Sequence, residues 1–322
     1  MKLLFIILQM TIMTYNVENM FDTKHDSLKN DSDFLPKSEK HWNTERYYTK
    51  VNNVMRTIAS AGEDGEWPML VGLCEVENDY VMRTMTQGAR FKKLGYEYVH
   101  YESPDPRGID VALLYRADLF TPLLSRPVGV VLPEEKTTRD LLYVCGTLND
   151  GTLLHVIEVH MPSRRGGAQT TEINRTTVAQ KIKIITDSII AINEDAAIVI
   201  MGDMNDNPDD KSIHETLGVM PTGGSEYESG RLYNLTWDGF PMADAQKGSY
   251  FHYGEWDQLD QIIVSGALLN GKLSVSIGKK AEVFAPWWLK DKSGAPKRTY
   301  QGNTYQGGVS DHFPVRAFMK FR

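Results

Sequence analysis

Cysteine is scarce in this chain, with two residues among 322. So low a content excludes a small domain held together by disulfides. Cys74 and Cys145 each lie inside an apolar run, without a second cysteine or a histidine at ligand spacing. Both are therefore expected to be buried free thiols that pack as small hydrophobic side chains.

A surplus of positive charge is also lacking. The 35 lysines and arginines are outnumbered by 42 aspartates and glutamates, which gives a net charge of −7. This balance argues against a nucleic-acid-binding protein that relies on a basic surface. It does not exclude a nuclease, because a site in which carboxylates hold a metal ion tolerates an acidic protein.

A long apolar run is missing at the N-terminus, where residues 3–8 supply six apolar side chains. A bilayer span needs about 20 residues, and no small-residue cleavage site follows before residue 11. We expect residues 1–10 to extend the first strand, with an atypical export signal as the alternative. No membrane span and no obligate protein partner are predicted, and a cytoplasmic location is favoured over export.

Strand-like and helix-like apolar patterns alternate along the rest of the chain. Helices are predicted at 44–61, 80–94 and 172–193. Strands are predicted at 10–17, 69–74, 95–101, 109–116, 141–148, 153–159, 196–201, 259–264 and 313–321. The spans 120–138, 221–256 and 284–309 are predicted to be long loops. Since no linker separates two cores, residues 11–322 are expected to form one domain.

The most informative segment is 198–208, an apolar strand that ends in Gly202 and is followed by Asp203, Asn205 and Asp206. Asp203 and Asn205 are two residues apart, so their side chains point the same way in an extended chain. Taken alone, the segment could equally be a plain turn, because Gly, Asn, Asp and Pro all favour turns.

Similar polar residues follow or interrupt other apolar runs. They are Asn16, Glu75, His160, Asp260, Asp311 and His312. A polar group at the end of a buried strand must be hydrogen-bonded or functional. The repetition of this pattern predicts one shared cleft.

The order of these motifs, with Gly-Asp-Met-Asn at 202–205 and Ser-Asp-His at 310–312, resembles the endonuclease/exonuclease/phosphatase superfamily over roughly residues 11–320. The resemblance implies an α+β fold, a four-layer α/β/β/α sandwich in which two mixed β-sheets pack face to face with helices outside. It also implies a metal-dependent phosphoric ester hydrolase whose active site lies at one edge of the sandwich.

Hydrolysis of a phosphate ester needs charge neutralisation, an aligned water and help for the leaving oxygen. Glu75 is a hard oxygen ligand suited to Mg²⁺ or Mn²⁺, and the resemblance adds Asp311 and Asn16 around the metal. Asp203 is the candidate that orients and deprotonates water. Asn205 and Asn16 would donate hydrogen bonds to phosphate oxygens.

Two histidines complete the predicted catalytic set. His312 would contact the transition state, and Asp260 would fix its tautomer and raise its pKa. His160 is a second imidazole for the phosphate or the leaving group, with a satisfied structural histidine as the alternative. Asp110 is a candidate to orient His160.

Three further side chains are candidates for contact with the substrate phosphate. Ser163 and Arg164 precede two glycines in a loop whose donors could hold an anion. Arg139 resembles a phosphate-contacting arginine of the deoxyribonuclease branch, with a surface salt bridge as the alternative. That branch also carries an active-site tyrosine, and Arg107 falls close to its position here. Asp206 is expected to be a turn residue that faces away.

The substrate remains open between two classes. A nuclease that cleaves phosphodiester bonds in DNA or RNA is favoured, because residues 284–305 interleave aromatic and basic side chains that can stack bases and contact phosphates. Those side chains could equally pack the loop onto the sandwich. The alternative is a phosphomonoesterase for inositol phosphates, phosphoinositides or other small phosphate esters, which the acidic charge favours slightly. A non-enzymatic binding module is disfavoured because the metal and water-activating positions are all present.

Overall fold

The computed structural model of the protein describes residues 9–63, 65–237 and 248–322. In this part of the chain, one sheet consists of strands β1 (Gln9–Met20), β2 (Leu70–Val76), β3 (Tyr96–His100), β4 (Asp110–Arg116), β14 (Val275–Ile277), β15 (Glu282–Val283) and β18 (Val315–Phe321). A second sheet consists of β5 (Phe120–Val128), β6 (Leu141–Leu148), β7 (Leu153–His160), β8 (Ala197–Asp203), β9 (Met220–Pro221), β10 (Leu232–Asn234) and β13 (Asp260–Ser265). Two short hairpins pair β11 (Tyr250–His252) with β12 (Glu255–Asp257), and β16 (Tyr300–Gln301) with β17 (Thr304–Tyr305).

Both large sheets are mixed. The first has the order β14-β18-β1-β2-β4-β3, with β15 also paired to β18, and β1 runs parallel to β2. The second has the order β5-β6-β7-β8-β13-β10-β9, and β7 runs parallel to β8. The parallel pair at the centre of each sheet brings the ends of β1 and β2, and of β7 and β8, to the same edge.

The main helices are α1 (Thr44–Ser60), α2 (Asp79–Gln87) and α3 (Ala168–Ile192). The Asn43 and Asn78 side chains cap α1 and α2 by accepting hydrogen bonds from the N–H groups of Arg46 and Val81, which are otherwise unpaired at a helix start. The three predicted helices are confirmed in position. The second is shorter than expected, because the chain leaves the helix at Gly88.

Three buried clusters separate four layers. One cluster joins α1 and α2 to the outer face of the first sheet, and another joins α3 to the outer face of the second. The remaining cluster lies between the sheets. Successive side chains of a strand point to opposite faces, so Ile12 packs between the sheets while its neighbour Met13 packs under the helices. The predicted α+β sandwich of two mixed sheets with helices outside is confirmed.

One predicted loop was wrong in part. Residues 120–128 of the expected loop at 120–138 form β5, which pairs with β6 at the edge of the second sheet. Pro122 and Pro127 in this segment favoured a loop, because proline cannot donate to a sheet. An edge strand tolerates proline when the missing N–H faces away from the neighbouring strand.

Both cysteines are buried and free, as expected. The expectation for residues 1–10 falls mainly on residues 1–8, which lie outside the described residues, while residues 9 and 10 begin β1. Across the ranges that the structure covers, no helix has the length and apolarity needed to cross a membrane.

Candidate active site

The predicted site residues converge because strands of both sheets end at one edge. In the second sheet, His160 and Asp260 are the Cα partners of Asp203 on its two neighbouring strands. Directly opposed residues project to the same face. In the first sheet, Asn16 is the partner of Cys74, so Glu75 follows one residue beyond.

These strand ends surround a cavity of about 680 Å³. Its lining includes the predicted residues Asn16, Glu75, His160, Ser163, Arg164, Asp203, Asn205, Asp311 and His312. Asp260 lies directly behind His312 and is fully buried.

The turn after β8 is shaped by the local backbone. Gly202 has φ of 143°, and a Cβ at this position would lie 1.8 Å from the Val159 carbonyl oxygen. Asn205 has φ of 48°, a conformation that asparagine tolerates better than most residues. Its N–H donates to Asp203 Oδ1 at 2.9 Å, and its side-chain amide donates to the Met161 carbonyl at 3.0 Å. The turn thereby fixes the Asp203 carboxylate.

A β-bulge presents Glu75. The register of β2 shifts between Cys74 and Val76, and Glu75 adopts φ of 66°. A bulge of this kind redirects a side chain at the end of a strand. Glu75 Oε2 accepts a hydrogen bond from the Asn19 N–H at 2.7 Å, which holds the carboxylate at the cavity wall.

His312 is held between two carboxylates. Its Nδ1 lies 2.7 Å from Asp260 Oδ2, and its Nε2 lies 3.9 Å from Asp203 Oδ2. Burial alone would lower the pKa of His312, but the Asp260 and Asp203 carboxylates outweigh burial and raise it to about 10. The imidazole is therefore protonated at neutral pH, with Nδ1–H directed at Asp260.

Asp203 is buried and braced on several sides. The Asn16 amide donates to Asp203 Oδ2 at 2.9 Å, and His160 Nε2 lies 3.6 Å from the same oxygen. Burial raises the pKa of Asp203 to about 6, although the His312 imidazolium opposes this shift. Burial and the nearby Arg139 hold the pKa of His160 well below its usual range. Asp203 is thus ionised at neutral pH beside one charged and one neutral imidazole.

The donor set for a divalent cation is made of oxygen atoms, as Mg²⁺ or Mn²⁺ requires. Glu75, Asp311 and the Asn16 side chain all line the cavity. Among the described residues, Arg107 Nη2 lies 3.9 Å from Glu75, and Arg298 Nη2 lies 3.9 Å from Asp311. Both distances exceed the roughly 2.7–2.9 Å of a charge-assisted hydrogen bond, so both carboxylates keep oxygen atoms for a cation. The residues fit the ion.

Two predicted phosphate ligands have other roles in the structure. Arg139 lies behind the cavity, where its guanidinium contacts Asp105 at 3.1 Å and the Met161 carbonyl at 2.7 Å. It therefore braces the segment after His160 instead of contacting substrate. Arg164 reaches the cavity, but Asp206, Asp210 and Asp257 already balance its charge.

Ser163 and Arg165 are better placed for the phosphate. Ser163 lines the cavity beside Arg165. Among the described residues, the Arg165 guanidinium has no carboxylate within ion-pair distance. The loop that the sequence singled out is therefore present at the cavity, and within the described ranges its second arginine, Arg165, has no ion-pair partner.

Two further carboxylates lie outside the cavity lining. Asp110 was expected to orient His160, but its carboxylate lies 3.4 Å from His100 Nε2 and accepts the Ser103 N–H. Asp206 lies in the turn after β8, is absent from the cavity lining and is buried. It lies 2.7 Å from Arg175 Nε and accepts the Ser212 hydroxyl at 2.6 Å.

Replacing Asp206 with alanine is expected to destabilise the fold by about 3 kcal/mol, because it leaves the buried Arg175 without its carboxylate. Urea unfolding measures this change. Asp209→Ala removes an exposed carboxylate from the same turn and should change the free energy of unfolding by less than about 0.5 kcal/mol. A loss for Asp206→Ala no larger than that of Asp209→Ala would contradict the anchoring role.

Three further residues lie at the site. The Tyr250 ring packs on the His312 ring with centroids 4.7 Å apart, and Arg298 lies over Tyr250 at 5.8 Å. Arg107 is exposed, lies 3.9 Å from Glu75 and also lines the cavity. Tyr250 follows the segment 238–247, which lies outside the described residues, and no spacing signal pointed to it.

A second cavity of about 830 Å³ adjoins the first and shares His252, Tyr253 and Arg298 with it. Its wall carries Lys290, Lys292 and Lys297 together with Phe251 and one carboxylate, Asp291. Four carboxylates and four arginines line the first cavity, whereas the charged residues that line the second are mostly basic.

Comparison with solved structures shows the same fold in other proteins. Humanized D. rerio TDP2 carrying 14 mutations has a TM-score of 0.60 and 16% identity, with 97% of this chain and 98% of that chain covered. D. rerio TDP2 complexed with single strand DNA product has a TM-score of 0.57, 16% identity and the same coverage, 97% and 98%. The human Nocturnin catalytic domain with bound sulfate anion has a TM-score of 0.54 and 15% identity, with 98% and 95% covered.

Among curated proteins, none matched this chain. At identities this low, the structural likeness shows the fold alone. The sequence itself matches the Endonuclease/Exonuclease/phosphatase family over residues 11–321, which is nearly its whole length. The chain belongs to the Endonuclease/Exonuclease/phosphatase family.

Proposed function

We propose that this protein is a divalent-metal-dependent phosphodiesterase that cleaves nucleic acid, with single strands as the preferred substrate. The observation that carries the proposal is the buried pair of Asp203 and His312 at the floor of an oxygen-lined cavity. An ionised carboxylate and a protonated imidazole 3.9 Å apart provide, in one site, a base for the attacking water and a charged donor for a phosphate oxygen.

Asp203 is assigned to the attacking water. Its Oδ2 faces the cavity and is positioned by the Asn16 amide, while Oδ1 is held by the Asn205 N–H. As the water oxygen bonds to phosphorus, its proton passes to this carboxylate and the ester P–O bond breaks. The fixed hydrogen bonds keep the carboxylate aligned, so little reorganisation is needed when the water reacts.

His312 is assigned to the developing negative charge. Its Nδ1–H is held by Asp260, which leaves Nε2–H for a non-bridging phosphate oxygen. A charged donor in a buried site stabilises such an oxygen more strongly than water does. His160 is neutral and lies between Glu75 and Asp203, where its Nε2–H can donate to the phosphate or the leaving oxygen.

Glu75, Asp311 and the Asn16 carbonyl would hold Mg²⁺ or Mn²⁺. When bound, the cation would supply positive charge to the phosphate and the leaving oxygen.

The adjoining basic cavity supports a polymer over a small ester. Lys290, Lys292 and Lys297 can contact phosphates beyond the one that reacts, and Tyr253, which is 93% exposed, can stack on a base. Unstacked bases are available in single strands. The D. rerio TDP2 structure with single strand DNA product has the same fold. The net charge of −7 slightly favours the alternative, a phosphomonoesterase for small phosphate esters.

A side-by-side assay tests the proposal. Purified protein is stripped with EDTA, reloaded with Mg²⁺, and given a labelled single-stranded oligonucleotide, plasmid DNA, a small bis-ester and an inositol phosphate. We expect the oligonucleotide to be cleaved fastest, and Asp203→Asn to be slower by about three orders of magnitude. Release of phosphate from the monoester alone would reject the nuclease, and full activity in excess EDTA would reject the metal.

The basic cavity gives a sharper prediction. Lys292→Ser combined with Lys297→Ser should raise KM for an oligonucleotide about tenfold and leave turnover of a small bis-ester unchanged. Loss of two phosphate contacts should reduce the slope of log KM against log salt by about 1.4. Lys92→Ser with Lys93→Ser removes the same charge before β3, near the opposite edge of the first sheet, and should change neither quantity. Equal effects of the two double variants would contradict a local contact.

A further inference from the structure

A cluster of metal-type ligands lies outside the catalytic cavity, where β3 ends and β4 begins. It consists of His100, Glu102 and Asp110, which each offer one nitrogen or oxygen atom within 4.8 Å of the other two. His100 is the Cα partner of Ala112, so the same register carried two residues further puts Glu102 opposite Asp110. Side chains so arranged project from one side of a sheet.

Two atoms of this cluster are buried without a hydrogen-bond partner within the described residues. They are His100 Nε2 and Asp110 Oδ2, and their side chains are 3% and 1% exposed. The two atoms lie 3.4 Å apart, which is longer than the roughly 2.7–2.9 Å of a charge-assisted hydrogen bond. Buried polar atoms normally have a partner, so this pair marks a place for a ligand between them.

The surroundings carry more negative than positive charge. A cavity of about 10 Å³ next to Asp110 is also lined by Asp140, whose Oδ1 is buried without a partner among the residues described. Burial and then Asp110 raise the pKa of both Asp140 and Glu102. Asp140 therefore adds a third carboxylate beside Asp110, and a cation held by His100, Glu102 and Asp110 would relieve the repulsion among the three carboxylates.

We propose that His100, Glu102 and Asp110 bind a divalent cation of the zinc or manganese class at a structural site separate from the catalytic cavity. One imidazole with two carboxylates suits Zn²⁺ or Mn²⁺, whereas Mg²⁺ and Ca²⁺ prefer oxygen ligands throughout. The site joins the two ends of the loop 101–109, which carries Arg107 into the catalytic cavity. The cation therefore fixes the loop that presents this arginine.

Calorimetric titration with the metal alone tests the site. The full chain carries Glu75→Gln and Asp311→Asn to remove the catalytic ligands, is stripped with EDTA, and is titrated with ZnCl₂ and then with MnCl₂. We expect one equivalent to bind. Adding His100→Gln and Glu102→Gln should weaken binding at least about tenfold. Glu97→Gln on the same strand, also exposed, should leave it unchanged.

Three results would overturn the proposal. The first is that the parent, the chain with Glu75→Gln and Asp311→Asn, binds less than one equivalent of metal. The second is that His100→Gln with Glu102→Gln leaves the affinity unchanged. The third is that a crystal soaked in zinc shows anomalous density only at other residues. Glu102 is exposed, so Glu102→Gln alone keeps the test valid if the double variant fails to fold. In that variant, the rise in Tm that ZnCl₂ produces in the parent should be lost or reduced.

Discussion

Replacing Asp203 with asparagine is expected to lower kcat for a phosphodiester by roughly 10³-fold, because an amide cannot accept the proton of the attacking water. The substitution keeps the size and shape of the side chain. The Asn205 N–H and the Asn16 amide donate to different carboxylate oxygens of Asp203, each at 2.9 Å. The single carbonyl oxygen of an asparagine can keep the bond from Asn205 that shapes the turn, while the bond from Asn16 is lost together with the base. Steady-state kinetics at saturating Mg²⁺ measures the change.

Asp209→Asn is the matched control, since it removes one exposed carboxylate from the same turn and should keep wild-type kcat. Retention of more than about a tenth of kcat in Asp203→Asn would remove Asp203 from the role of base. The pH profile adds a second test. A base acts when deprotonated, so wild-type activity should fall with pH below about 6, the pKa that burial gives Asp203. A bound cation would shift this limb to lower pH, and Asp203→Asn should lack it.

Much of the fold followed from apolar periodicity. The helix at 44–61 was predicted because Val51, Val54 and Ile58 recur on one face, and these residues do pack under the first sheet. Periodicity failed at β5, where two prolines and exposed side chains hide an edge strand. Whether a segment pairs at a sheet edge depends on a partner strand, and local pattern does not report it.

The grouping of site residues was predictable where a polar residue directly follows an apolar strand. Asp203 and His160 follow apolar runs, and the parallel pairing of β7 with β8 makes them neighbours. The partners of charged side chains were not predictable. Arg139 and Arg164 were assigned to phosphate, yet both are held by carboxylates that are distant in sequence. A charge can be counted in a sequence, but the partner that neutralises it is fixed by tertiary packing.

His312→Ala is expected to lower kcat by roughly 10²–10³-fold, because the variant loses a charged donor placed where negative charge develops. Asp260→Asn separates this role from a structural one. Of the two carboxylates that raise the pKa of His312, Asp260 raises it more than Asp203 does. Without the Asp260 charge, the alkaline limb of the pH profile should move from about 10 toward neutrality, while Asp203 remains intact.

The sign of this shift follows from the role. A donor acts when protonated, so activity is lost as pH rises through the pKa of His312, and any change that lowers this pKa brings the loss to lower pH. His155→Ala removes an imidazole from the far end of β7 and should leave both limbs unchanged. If Asp260→Asn lowered kcat equally at every pH, the carboxylate would only orient the ring, and the protonated form of His312 would not be the one that acts.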